Sequence, residues 1–199
     1  MAEILFVLAL IPFYFLGVFP SGYIIAKLHS VEIEKCGSGN VGATNVARVL
    51  GSRAGVLTLL LDILKGFLAP LIATAISGNT NFAVAASAAA IAGHCFSIPK
   101  KLPHGKGVAT TAGVFLYLSP LSVVIATIIF AAIMVWQKIV SLASVSAALA
   151  LPIIIMLRKE ENPIILLAVA AATLIFYRHK DNINRFINGK EEKFKVKRP

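Results

Sequence analysis

Charge is scarce in this chain of 199 residues: only 14% are charged, against 58% hydrophobic and a mean hydropathy of +0.84. A soluble domain could not cover that much apolar surface, so lipid is the solvent for most of the chain. No hydrophilic stretch is long enough for a second unit, and one membrane domain spans residues 1–199. Acidic residues are scarcer still, 9 against 19 Lys and Arg, leaving a net charge of +10. Flanking basic residues set membrane topology, and that reading replaces nucleic acid as the partner of this charge. Cysteine is nearly absent. Cys36 and Cys95 both fall in segments assigned to the cytoplasmic side, which argues against a disulfide, and no metal-ligand spacing supports a metal site. The first apolar run lacks a basic leader, Glu3 being its only charge, so it reads as a retained span.

What is abundant is long apolar runs, near 4–26, 54–77, 81–97, 108–135, 139–157 and 163–177. The fourth is too long for one pass. Ser119-Pro120 lies near its middle, and the residue before a proline is biased out of the helical region. Splitting it gives seven transmembrane helices in an all-α fold. The loops at 27–53, 98–107 and 136–138 then share a face with the C-terminal tail, and that face holds 16 Lys and Arg. The opposite face holds Arg158 and Lys159, while Lys65 lies within a span. Without the split the two faces carry 9 and 9. The positive-inside rule therefore predicts seven spans, with the N-terminus outside and the C-terminus cytoplasmic.

Three polar segments fall on that basic face. The first runs from Pro20 to Arg53 and contains Gly37-Ser38-Gly39-Asn40-Val41-Gly42-Ala43-Thr44-Asn45 and then Arg48. Glycines at 37, 39 and 42 allow positive φ and close approach to a ligand. Ser38 and Asn40 suit a helix cap whose free N–H groups bind an anion, and Arg48 suits a bidentate phosphate contact. No Gly-Lys-Ser/Thr follows and no strand precedes, so this is neither a P-loop nor a Rossmann turn. The second segment is Gly93-His94 followed by Gly105-Lys106-Gly107-Val108-Ala109-Thr110, which puts a cation beside helix N-terminal amides. His94 taken alone reads as an interfacial histidine satisfied by a carbonyl. The third runs from Tyr177 to Glu191; on a helix it places His179 and Asn182 on one face, with Arg178 and Arg185 on a neighbouring stripe. A stop-transfer cluster accounts for its Arg and Lys and for the whole tail from Lys190, but not for His179 and Asn182. Within the bilayer, Asp62 and Lys65 stand three residues apart and read as a mutual ion pair that locks helix packing. Ser141 and Ser144 open the sixth span as small packing residues, or with one of them reaching the anion site.

These segments together resemble the bacterial acyl-phosphate:glycerol-3-phosphate acyltransferases, the PlsY family. The match rests on Gly37-Ser38-Gly39-Asn40-Val41-Gly42-Ala43-Thr44-Asn45-Val46, on Gly93-His94 with Gly105-Lys106-Gly107-Val108-Ala109-Thr110, and on Arg178-His179-x-x-Asn182-Ile183-x-Arg185. It implies transfer of a fatty acyl group from acyl-phosphate to the sn-1 hydroxyl of glycerol 3-phosphate. Lysophosphatidic acid and phosphate are the products, in the first step of phospholipid biosynthesis at the cytoplasmic face of the inner membrane. It implies no cofactor and no obligatory protein partner beyond the lipid bilayer. By motif position, Ser38, Arg48, Lys106, His179 and Asn182 are the expected catalytic group, with His179 the candidate general base unless a substrate phosphate takes the proton. Gly39, Asn40, Gly42, Thr44, Asn45, Gly105, Gly107, Ser144, Arg178 and Arg185 are the expected substrate-binding residues. Two departures stand out: Pro103-His104-Gly105 replaces a usual pair of glycines, and Cys95-Phe96-Ser97 replaces a usual Phe-Pro after Gly-His-x. An acyl-phosphate is an activated mixed anhydride, so positioning and charge neutralisation suffice and no serine or cysteine nucleophile is needed. None of His29, His94, His104 and His179 has Asp five positions later, which disfavours acyl-CoA chemistry of the His-x4-Asp type. A small-anion transporter built on Asp62, Lys65 and the glycine-rich loops is the alternative, although no internal repeat supports it. A structural or assembly factor would leave the glycine-rich and Arg-His segments unexplained.

Overall fold

A computed structural model of the chain describes residues 2–96, 98 and 104–195. Among them the secondary structure is entirely helical: α1 (Ala2–Val18), α2 (Ser21–Leu28), α3 (Ala43–Leu50), α4 (Ser52–Ser77), α5 (Thr80–Cys95), α6 (Val108–Leu118), α7 (Pro120–Gln137), α8 (Val140–Leu157), α9 (Asn162–Arg178) and α10 (Lys180–Ile187), with a short 3-10 turn at Ile33–Lys35. Lys100, Lys101, Pro103, Lys197 and Arg198 lie outside the described residues.

The first apolar run is not one uninterrupted helix. It breaks at Phe19-Pro20, where α1 hands over to α2, although Glu3–Leu28 is continuous in its apolar character. Among the described residues, four stretches have the length and apolarity to cross a bilayer: Glu3–Leu28, α4, α7 and α8. The α9–α10 pair, bent by 58°, makes a fifth if it is one span. α5 and α6 are shorter, at 16 and 11 residues, and α6 rises only about 16 Å.

The chain does break at Ser119-Pro120. Ser119 has left the helical region (φ −152°) and Pro120 opens α7, where its missing N–H costs nothing. The contacts at either end show that α6 and α7 run in opposite directions. Ser119 Oγ donates to Glu160 Oε1 (2.9 Å) in the α8–α9 turn, whereas Lys106, just before α6, bonds Asn182 of α10. Beyond α7, the Lys138 carbonyl accepts from the Phe194 amide, on the α10 side again.

Small residues let these helices touch backbone to backbone, the usual device where lipid supplies no hydrophobic drive between helices. A Cβ on Gly66 of α4 would stand 2.1 Å from the Thr110 carbonyl, and one on Gly113 of α6 would stand 1.9 Å from that of Ile63. Three apolar clusters follow. One joins α5 to α9, one joins α1, α4 and α5, and a third packs α2, α3 and their connecting loop against the start of α4. Between the last two, Asp62 and Lys65 form a buried pair at 2.8 Å. Ser21 Oγ donates to Asp62 Oδ1 (2.5 Å) and Lys65 Nζ donates to the Phe19 carbonyl (2.8 Å), so the pair ties the α1–α2 break to α4.

Candidate active site

At the end of the bundle where α3, α4, α6, α8 and α10 converge, a cavity of about 670 Å³ opens. Its outer part is polar and its inner part apolar, and each half is built by identifiable segments.

The glycine-rich loop supplies one wall. Gly37 and Gly39 do take positive φ (58° and 71°), but Gly42 is extended at φ −72° and needs no glycine for its conformation. Gly42 is instead the N-cap of α3. Asn40 Oδ1 accepts the Gly42 amide (2.7 Å), one residue ahead of the first turn, and no side chain caps the helix itself. The loop is held by Asn45: its Oδ1 accepts the Ser38 amide and its Nδ2 donates to the Cys36 carbonyl, both at 2.9 Å. That leaves Ser38 and the start of α3 facing the cavity, with Arg48 about one and a half turns along the same helix.

Lys106 and α10 supply the opposite wall. The third polar segment is not one helix: it bends at His179, which ends α9 and opens α10. The bend removes the continuous Arg178–Arg185 stripe and points the two arginines to different tasks. Arg178 donates to the Gly105 carbonyl (3.1 Å) and lies over the Phe96 ring, whereas Arg185 reaches the cavity. Lys106 Nζ donates to Asn182 Oδ1. His179 Nδ1 is 2.8 Å from the Ile175 carbonyl, which can only accept, so Nδ1 carries the proton and Nε2 keeps a lone pair. Burial, reinforced by the nearby Lys106 charge, pulls the His179 pKa down to about 4, so the ring is neutral near pH 7. Burial likewise pulls Lys106 down to about 8, with the Arg185 charge acting in the same direction.

One residue here escaped the sequence reading. Glu191, in the tail taken for a topology marker, accepts from Asn182 Nδ2 (2.6 Å), Ser141 Oγ (2.6 Å) and Arg185 Nε (2.8 Å). Burial pushes its pKa up, but these three bonds outweigh that and hold it below the usual carboxylate value. No sequence signal marks it, because Glu191 lies past the end of α10 and meets these partners only through the fold. The cavity wall thus brings together Ser38, Asn40, Gly42, Thr44, Asn45, Arg48, Lys106, Gly107, Ser144, His179, Asn182 and Arg185, along with Ser141, Glu191, Asp62 and His94. Gly39, Gly105 and Arg178 are not on it. Inward, the lining turns to Val123, Ala126 and Phe130 of α7 and Ala147, Ala148 and Leu151 of α8. From Ser141 to Leu151 this apolar arm follows α8 for about 15 Å.

A family model described as glycerol-3-phosphate acyltransferase matches residues 7–189. Among curated relatives, the glycerol-3-phosphate acyltransferase of Geotalea daltonii is 42% identical over 182 residues, covering 92% of this chain and 94% of that protein. That of Fusobacterium nucleatum is 43% identical over 183 residues, again covering 92% and 94%. The crystal structure of PlsY, an integral membrane glycerol 3-phosphate acyltransferase, superposes in its glycerol 3-phosphate form with a TM-score of 0.90 at 37% identity, covering 96% of both chains. Its lysophosphatidic acid form gives 0.88 at the same identity. On sequence and fold together, the chain belongs to the glycerol-3-phosphate acyltransferase family.

Proposed function

We propose that this protein transfers a fatty acyl group from acyl-phosphate to the sn-1 hydroxyl of glycerol 3-phosphate, releasing lysophosphatidic acid and inorganic phosphate. The observation that carries the reading is the two-part cavity. A cluster of Arg48, Lys106 and Arg185 with His179 and Asn182 opens directly into an apolar arm between α7 and α8. A substrate pair with two phosphates and one long alkyl chain needs that combination, and a carrier of small anions has no use for the arm.

In this reading Ser38, Arg48 and the first-turn amides of α3 hold one phosphate, and Lys106, Asn182 and Arg185 hold the other. The acceptor hydroxyl oxygen attacks the acyl carbonyl carbon, the bond from that carbon to the phosphate oxygen breaks, and the electron pair leaves with phosphate. The same cations neutralise the charge that gathers on the departing group. His179 Nε2 accepts the hydroxyl hydrogen bond and orients the nucleophile. A ring with a pKa of about 4 is a weak base at neutral pH, so the proton ends on a phosphate oxygen and not on His179. Of the two expected bases, this reading takes the substrate phosphate and keeps His179 as a binding group.

For the membrane arrangement, we infer seven crossings: α1, α4, α5, α6, α7, α8 and α9. The reversal at Ser119-Pro120 and the 16-to-2 distribution of Lys and Arg support it, with the cavity facing the cytoplasm and the N-terminus outside. The short α6 then starts below the membrane surface, which gives the cavity its depth.

The test is donor discrimination with protein purified in detergent. Acyl-phosphate and glycerol 3-phosphate should give lysophosphatidic acid, and acyl-CoA should not replace the donor. Activity with acyl-CoA alone would reject the reading. His179→Ala should keep kcat within about tenfold while raising KM for glycerol 3-phosphate; a loss of kcat by about a thousandfold would restore His179 as the base.

A further inference from the structure

Two buried groups on the cavity wall have no part in the chemistry above: Asp62 and His94. Their contacts lead to Lys106. Gly105, its neighbour in the chain, is gripped on three sides. Its amide donates to the His94 carbonyl (3.1 Å), its carbonyl accepts from Arg178 (3.1 Å), and its open face lies against the His94 ring. That last approach is so close that a Cβ on Gly105 would stand 2.1 Å from His94 Nε2. The ring's other nitrogen, Nδ1, is 3.8 Å from Asp62 Oδ1. Asp62 is itself fixed by Ser21 at 2.5 Å and Lys65 at 2.8 Å, and Lys65 is anchored on the Phe19 carbonyl. A line of contacts therefore runs from the α1–α2 break through α4 and α5 to the loop that carries Lys106.

We infer that Asp62 and His94 are positioning residues: together they fix the His94 ring as a backstop for Gly105, and so set where the Lys106 ammonium meets the acceptor. An ion pair that only locked helix packing would not require a histidine wedged between the carboxylate and a glycine of the next loop. The physical logic is that a cation gains its effect from placement, and a displacement of about 1 Å there costs a large factor in rate or affinity. The inference rests on Lys106 holding an acceptor phosphate.

The test is a double-mutant cycle between His94 and Gly105, read in steady-state kinetics on the full-length protein. His94→Ala should raise KM for glycerol 3-phosphate about tenfold, with kcat within about threefold and KM for acyl-phosphate unchanged. Gly105→Ala should raise the same KM further, because the new methyl meets the ring. In His94→Ala/Gly105→Ala the added methyl should cost little, since the ring it would strike is gone. Unchanged KM in His94→Ala, or two effects that simply multiply, would overturn the proposal. If His94→Ala does not fold, His94→Ser, which likewise removes the ring from against Gly105, replaces it with the same expectations for KM. Asp62→Asn with Lys65→Met removes the charges as a pair and should reproduce the KM effect; a normal KM there would remove Asp62 from the proposal. A Lys106→Ala control separates the two levels. If that variant leaves KM for glycerol 3-phosphate unchanged, the assignment of Lys106 fails, and the backstop is then judged by thermal unfolding of the same cycle, where additive shifts would overturn it.

Discussion

Lys106 stands half-buried between two glycines, bonded to Asn182, at a place where burial makes its charge costly. Its pKa of about 8 has a definite sign in the kinetics. As pH rises through 8 the free enzyme loses the ammonium, so kcat/KM for glycerol 3-phosphate should fall along an alkaline limb near that value. Lys106→Arg keeps its charge over the whole range. The limb should vanish or move well above pH 9 in that variant, and an unchanged limb would show that another group controls it. Many of the residues on the cavity wall were legible one by one. His179 and Asn182 are polar groups that topology alone does not call for, Ser38, Arg48 and Lys106 stand in or beside glycine-rich segments, and all five line one cavity. Gly42 and the third segment misled for local reasons: Gly42 serves as a cap in ordinary backbone geometry, and the chain bends at His179 where a continuous helix was expected.

Elements show where sequence reasoning stops. The turn at Ser119-Pro120 could be read because proline acts on its immediate neighbour, and the structure breaks there. The role of the tail after α10 could not be read, because a glutamate among lysines looks like solvated surface until the fold returns it to Ser141, about 50 residues away in the chain. The same holds for Asp62 and His94, whose meeting depends on how α4 and α5 pack. Glu191 pins the tail to α8 and α10 through three hydrogen bonds to groups on or beside the cavity. Glu191→Ala should therefore lower the unfolding temperature, at a cost of about 1–3 kcal/mol, because it strands the groups it now satisfies. It should also raise KM for glycerol 3-phosphate by freeing Asn182 and Arg185. Thermal unfolding and steady-state kinetics on one preparation check both, and a variant with normal stability and normal KM would contradict this role.

The whole molecule is an alternation of helices that delivers its polar loops to one end. If that end is cytoplasmic, single cysteines placed in a chain with Cys36 and Cys95 replaced should report it. Glu160→Cys should react with an impermeant maleimide added to intact cells, and Glu34→Cys and Lys193→Cys only after permeabilisation. Labelling of Glu160→Cys and Lys193→Cys from the same side would contradict the crossing assigned to α9, together with the assigned sidedness. The closing question is whether the cavity performs the acyl transfer assigned to it. The most direct measurement follows both products when purified protein is given acyl-phosphate and labelled glycerol 3-phosphate. The account predicts 1-acyl lysophosphatidic acid and inorganic phosphate appearing in equal amounts, with both lowered in equal proportion in Lys106→Ala. Phosphate release without acylated product, or no reaction from folded protein, would contradict it.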